Sequence, residues 1–370
     1  MVRLPEIIRK TLEKAVANLQ VKEDVYGIGL FGSWSRNEAT PSSDIDLLIL
    51  DKADFNYEYT ERVVFNGLFV DLDHISKLRI RNLIPPEIDQ KLYEMQILYD
   101  RDWSLNNLKL LIAKSYASPE RVDIRTEEHV IQSDIYLSRA TSAYSREDLQ
   151  SAQLFAIEAM EHILKVLVEI ALEPFSNSRF VERLEVSTTK LGMRHLFNKY
   201  SNATGLNKVD EASVKEKLRL FRLVWDEMKT VTEQNPRALA SSHFKVKTKL
   251  SYYLSLAFLQ GMILRTNSLI ESGNAAEASH YLRNVFLDMV ENYVWFKSLI
   301  NMIKVDYSTL MRSLNFLERS SKNYDYMVRL LDVDELDRIG VARTMEKSRE
   351  IMFELRGERK VLIKKGLIKS

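Results

Sequence analysis

Asp44 and Asp46 stand two apart at the head of an apolar run, Ile45 to Leu50. Along a strand, alternate side chains leave the same face, so the two carboxylates project together. Carboxylates that close repel each other unless a cation sits between them. Hard oxygen donors beside phosphate suit Mg2+, or Mn2+ in its place. Upstream, Gly32 and Ser33 close a first apolar run, Val25 to Phe31. Gly32 carries no Cβ and lets the backbone come close to a ligand. Ser33 offers a hydroxyl and, with Gly32, backbone N–H groups able to hold phosphate oxygens. The pattern reads as strand, tight turn, polar loop, strand. An Asp-rich turn capping a helix would not explain two charges at the start of an apolar strand, where an unpaired charge is costly.

The stretch Gly32-Ser-Trp-Ser-Arg-Asn-Glu-Ala-Thr-Pro-Ser-Ser-Asp-Ile-Asp46, followed by Leu47-Leu48-Ile49, resembles the signature of the polymerase-beta-type nucleotidyltransferase superfamily. Within it the nearest likeness is to the small prokaryotic, kanamycin-nucleotidyltransferase-like branch. Such proteins usually have Gly where this chain has Asn37. Asn is the next most tolerant residue of a left-handed backbone, so the turn is expected to survive. The resemblance implies transfer of a nucleoside monophosphate from a nucleoside triphosphate, expected to be ATP, to an acceptor hydroxyl by a two-metal mechanism. It implies Gly32, Ser33, Arg36 and Ser43 as nucleotide-binding residues, although Arg36 reads equally well as a surface residue. It also implies a third carboxylate, on a strand after the paired aspartates. In Leu68 to Ile75, Asp71 and Asp73 share one face with Phe69 and Ile75. Asp71 fits the third catalytic and metal position best, with Asp73 as second choice; either is placed to take the acceptor's proton. His74 falls on the opposite face and reads as structural.

The elements that must position these residues form a small α/β domain. Leu4 to Leu19 repeats apolar residues at helical spacing. Val25 to Phe31 and Ile45 to Leu50 read as strands. Thr60 to Phe65 and Leu68 to Ile75 follow, joined by the turn signal Asn66-Gly67. Pro85-Pro86 opens a short helix through Met95, and Gln96 to Tyr99 is a last strand, which also resembles that of the small transferase domains. A nucleotidyltransferase domain is therefore expected over 1–117, with Ser118-Pro119 as its boundary. Beyond Val122 the pattern changes to long amphipathic segments: 126–144, 145–172, 179–186, 213–231, 247–268 and 275–302. The fold class expected is α+β, a small domain with a mixed sheet followed by a large all-α helical bundle over 122–303. A helical extension over 304–370 reads as 308–331 and 334–355, and ends in a basic stretch, Arg356 to Ser370, read as a solvated tail.

Composition narrows the class. Only 11 Gly and 7 Pro in 370 residues point to long helices. There is no Cys, which excludes disulfides, thiolate chemistry and Cys-based zinc sites. The 53 basic and 52 acidic residues leave a net charge of +1, without the basic excess of a broad nucleic-acid surface. A nucleoside triphosphate and a small-molecule or protein acceptor are thus the expected partners, ahead of RNA; oligomerisation stays open. No apolar run approaches the roughly 18 residues of a membrane span, and no signal-peptide core is seen, so a cytoplasmic location is expected. The competing reading is a catalytically weak nucleotide-binding regulator, or a toxin–antitoxin-type protein whose helical part acts on RNA or a partner.

Overall fold

A computed structural model describes residues 4–55, 57–82, 84–318 and 322–368. The chain divides into two compact units. The first comprises 1–118 together with 247–265, and the second comprises 119–246 and 266–370.

The first unit is built on five strands: β1 (Val25–Phe31), β2 (Ile45–Asp51), β3 (Tyr59–Phe65), β4 (Leu68–Ser76) and β5 (Gln96–Asp100). Their order across the sheet is β3-β4-β2-β1-β5. The pair β2/β4 is parallel, and the other neighbours are antiparallel. The sheet is mixed, as expected. β2 lies in the middle, and that explains its nearly unbroken apolar run. α1 (Glu6–Gln20) lays Ile8, Leu12, Ala15 and Leu19 against Val25, Ile28, Leu30, Leu47, Ile49 and Val70. Three large apolar residues, Ile8, Leu12 and Leu19, of about 2 kcal/mol each would be ample for such a dock.

Between β1 and β2 the chain does not simply turn. It makes a short helix, α2 (Gly32–Arg36), that ends at Asn37 with φ 62°. Asn37 therefore adopts the left-handed backbone expected of it. After β4 come α3 (Lys77–Asn82), a single 3-10 turn at Pro86–Ile88, and α4 (Asp89–Glu94). Beyond β5 comes α5 (Ser104–Ser115), and the Asp100 carboxylate accepts from the Asn106 backbone N–H in its first turn at 2.8 Å.

The second unit is helical. Its elements begin with α6 (Pro119–Ser145), α7 (Leu149–Ile170), α8 (Phe180–Lys190), α9 (Arg194–Thr204), α10 (Glu211–Gln234) and α11 (Pro236–Ser241). Asp148 caps α7, accepting from the Ser151 backbone N–H. The segment read as one helix over 247–268 is two, α12 (Phe244–Tyr253) and α13 (Leu256–Glu271). The Ser255 hydroxyl accepts from the Phe258 backbone N–H, as a residue starting a new helix does. Residues 247–265 of this stretch belong to the first unit. The chain continues with α14 (Ala275–Ile300), α15 (Leu310–Leu317), α16 (Asn323–Leu330) and α17 (Arg338–Ile368).

The basic C-terminal stretch departs from the solvated-tail reading. It continues α17 as far as Ile368, and Ile351, Met352, Leu355 and Ile363 enter a core with α7 residues such as Ile163 and Leu167. Arg359 is buried and pairs with Asp123 at 3.0 Å and Glu127 at 2.5 Å. Lys369 lies outside the described residues. Among the described residues no helix is long and apolar enough to cross a membrane.

Candidate active site

Sheet register brings the acidic residues together. Asp46 on β2 is the direct partner of Asp71 on β4 in the parallel ladder. Directly paired residues share a face, so these two carboxylates stand side by side. Asp44 sits just before β2 and turns its carboxylate to the same place. One carboxylate oxygen from each of Asp44, Asp46 and Asp71 lies within 4.8 Å of the others. Asp44 and Asp71 are buried and Asp46 is half-buried.

The same row continues onto β3, where Arg62 is the antiparallel partner of Asp71. Arg62 donates from Nε to Asp71 Oδ1 at 2.6 Å and from Nη2 to Asp71 Oδ2 at 2.5 Å. The same Nη2 reaches Asp44 Oδ2 at 2.5 Å. Arg265, from α13, pairs with the other oxygen of Asp44. The Tyr252 hydroxyl on α12 donates to Asp71 Oδ2 at 3.1 Å. Three carboxylates therefore face two guanidiniums. Burial alone would raise the Asp44 carboxyl, but Arg265 and Arg62 outweigh it and hold it below its ordinary value. Burial pushes Asp71 up to about 6 against the pull of Arg62. Burial and then the charges of Asp44 and Asp71 drive Asp46 well above the ordinary carboxylate range. Among the described residues no cationic side chain lies at ion-pair distance from Asp46.

Gly32 has φ +74°, and a Cβ on it would collide with the Asp46 carboxylate. Its close approach is thus to the acidic cluster. Its N–H donates to Glu94 Oε1 at 2.7 Å, so a carboxylate of α4 already holds the first N–H of α2. Arg36 Nη1 donates to both oxygens of Glu94, 2.7 Å each, and Nε reaches Glu38 at 3.0 Å. Burial would lower its pKa, but Glu94 and Glu38 more than offset it. Arg36 is a paired, half-buried residue. Ser33 is half-buried, and its carbonyl accepts from the Glu38 N–H at 2.9 Å. Ser43 closes the turn over Thr40–Ser43: its hydroxyl accepts from the Thr40 N–H at 2.9 Å.

Asp73 shares a face with Asp71 but is engaged elsewhere. It accepts from Thr60 Oγ1 at 2.6 Å and pairs with Lys91 at 2.8 Å. Burial would depress Lys91, yet Asp73 and Glu58 raise it above its ordinary value. His74, on the opposite face, pairs with Asp51 at 2.6 Å and stacks on Tyr59, an anchoring role rather than a chemical one.

Arg62, Arg265, Tyr252, Lys91 and Glu94 are absent from the residues singled out in the sequence. For Arg62 a signal exists. The two-residue turn Asn66-Gly67, with φ 52° and 77°, sets Phe65 opposite Leu68 and so Arg62 opposite Asp71. Arg265 lies 221 residues from Asp44, and no local spacing announces it.

The three aspartates offer hard oxygen donors close enough to share one divalent cation, a donor set that suits Mg2+ or Mn2+. Residues 8–104 match the model of the nucleotidyltransferase domain family. A solved structure of a nucleotidyltransferase-like protein from Exiguobacterium sibiricum 255-15 is similar at 12% identity and a TM-score of 0.33. That likeness covers 80% of this chain and 90% of the other. A search of curated proteins gave no match. The sequence signature from Gly32 to Asp46, the mixed sheet and the acidic cluster all lie within the matched stretch, and residues 8–104 accordingly belong to the nucleotidyltransferase domain family of the polymerase-beta-like superfamily.

Proposed function

We propose that this protein transfers a nucleoside monophosphate from a nucleoside triphosphate, ATP by preference, to a hydroxyl of a small-molecule or protein acceptor, with pyrophosphate as the leaving group. The observation that carries this reading is the convergence of Asp44, Asp46 and Asp71 within 4.8 Å inside a nucleotidyltransferase domain. Bound there, a divalent cation would neutralise phosphate charge and polarise the α-phosphorus for attack. Asp44 and Asp46 would hold it. The N–H groups at the start of α2, with Ser33 and Ser43 nearby, would receive the triphosphate once Glu94 gives up the Gly32 N–H. Arg36 would stay on Glu94 or follow it, steadying the loop. Asp71 is the nearer base for the acceptor's proton, because it stands in the cluster beside Asp46, whereas Asp73 is drawn to Thr60 and Lys91 outside it. The near-zero net charge of the chain favours a discrete acceptor over long nucleic acid.

A second reading has its own support. Asp44 and Asp71 are ion-paired and the Gly32 N–H is occupied, as they would be in a protein that holds a nucleotide without turning it over. Incubation with α-labelled ATP, Mg2+ and a panel of acceptors separates the two. Transfer of label, lost on Asp46→Asn, supports nucleotidyl transfer. ATP that binds but is recovered intact with every acceptor supports the regulator.

A further inference from the structure

The arginine at the centre of the acidic cluster is built in. The Arg62 side chain is 5% exposed. Its guanidinium lies 5.8 Å from the ring centroid of Phe69, 5.5 Å from Tyr252 and 5.7 Å from Phe258. Aromatic faces attract a cation, and three of them form a cage. Gly261 completes it, since a Cβ at that position would collide with Arg62 Nη1. Both oxygens of Asp71 are engaged, by Arg62 and by the Tyr252 hydroxyl, and one oxygen of Asp44 is shared with the same guanidinium. Arg265 differs. Its side chain is 21% exposed, and it holds one oxygen of Asp44.

We propose that Arg62 is a resident cation of this site: its guanidinium keeps the position between Asp44 and Asp71, and a single divalent ion, taken by Asp46 and Asp44, completes the cluster. Arg265 is the counter-ion that yields when that ion arrives. The charge balance supports this. With all three carboxylates ionised, as metal binding requires, three carboxylates less two guanidiniums leave one negative charge for the ion to meet. Expelling Arg62 to make room for a second ion would break three charge-assisted hydrogen bonds and empty an aromatic cage. Releasing Asp44 from Arg265 opens the cluster from its partly exposed side. The proposal rests on the reading of the cluster as a nucleotidyl-transfer site, and it revises the expectation of two metals drawn from the resemblance.

The test counts bound Mn2+ by electron paramagnetic resonance of the free ion, with and without a non-hydrolysable ATP analogue. Wild-type protein should bind one Mn2+ per chain. Arg62→Met should bind two, because Asp71 is freed. Arg265→Met should still bind one, with affinity raised roughly tenfold or more by loss of a competing positive charge. Two ions on the wild-type protein, or none, would overturn the proposal, as would a folded Arg62→Met that still binds one. Should Arg62→Met not fold, Asp71→Asn decides. It keeps one Mn2+ at wild-type affinity if Arg62 holds that position, and a site weakened roughly tenfold or lost would overturn the proposal. Failure of the transfer reading looks different: one bound Mn2+ with no affinity for the nucleotide supports the resident cation and removes the enzyme.

Discussion

Two buried charge clusters, one in each unit, are put together differently. In the helical unit, Glu158 and Glu161 on α7 meet Lys165 and Arg283, with Arg283 on α14. Two carboxylates face two permanent cations. Glu161 also accepts from His280 Nε2 at 3.0 Å and from the Asn284 amide at 3.0 Å, so its oxygens are crowded with donors. Burial would raise it, but Lys165 and His280 prevail and hold it well below the ordinary carboxylate value. In the sheet unit, three carboxylates meet two guanidiniums, and Asp46 is driven the opposite way. The helical cluster is balanced in charge, although burial still raises Glu158. The sheet cluster is short of one cation. Burial is similar in both, so charge count and donor count are what separate a structural network from a site with something left to bind.

This contrast can be broken from either side. The largest effect is expected in the helical unit. Arg283→Met leaves Glu158 buried beside Glu161 with no guanidinium, and should cost about 3–5 kcal/mol in denaturant unfolding. A loss under about 1 kcal/mol would mean the cluster is not closed by that pair.

In the sheet unit the two paired aspartates should part company. Asp44→Asn replaces a carboxylate that accepts from both arginines by an amide whose NH2 opposes one of them. Thermal and chemical unfolding should show a loss of about 1–3 kcal/mol. Added Mg2+ should stabilise the wild-type protein by about 1.4 kcal/mol at roughly ten times its Kd, and leave Asp46→Asn unmoved. An equal shift in both proteins would place the ion elsewhere. The smallest effect is Asp46→Asn in the absence of metal. Removing the charge that has no partner should leave stability unchanged or raise it by up to about 1 kcal/mol. A clear loss would contradict the charge count.

What the sequence makes legible here follows from how local each cause is. The Gly32 to Asp46 signature lies on consecutive elements, so the fold of the first unit and the clustering of Asp44 and Asp46 can be read directly. Asp71 needs a strand register, and its alternation with Asp73 on one face leaves two candidates. The structure separates them by partners: Arg62 for Asp71, Lys91 and Thr60 for Asp73. Arg62 itself is legible through the hairpin turn at Asn66-Gly67. Glu94 is not, because its bond to Gly32 joins residues 62 apart through two elements of differing direction. Arg265 and Tyr252 are further still, on helices whose amphipathic pattern says only that one side is buried. The α2 helix is missed for another reason. Five residues are less than two turns, too short for a 3.6-residue period to show. The C-terminal stretch misleads by its charge, since Arg359 is basic, buried and paired at once.

The central claim is that the acidic cluster of the first unit is short of one cation and receives it together with a nucleoside triphosphate. A crystal structure with Mg2+ and a non-hydrolysable ATP analogue tests it most directly. The account predicts one Mg2+ on Asp44 and Asp46, the triphosphate at the start of α2 with Glu94 displaced from the Gly32 N–H, Arg265 drawn off Asp44, and Arg62 still on Asp71. A nucleotide bound away from Asp46, or soaked crystals in which Asp44, Asp46 and Asp71 hold no ion, would contradict it.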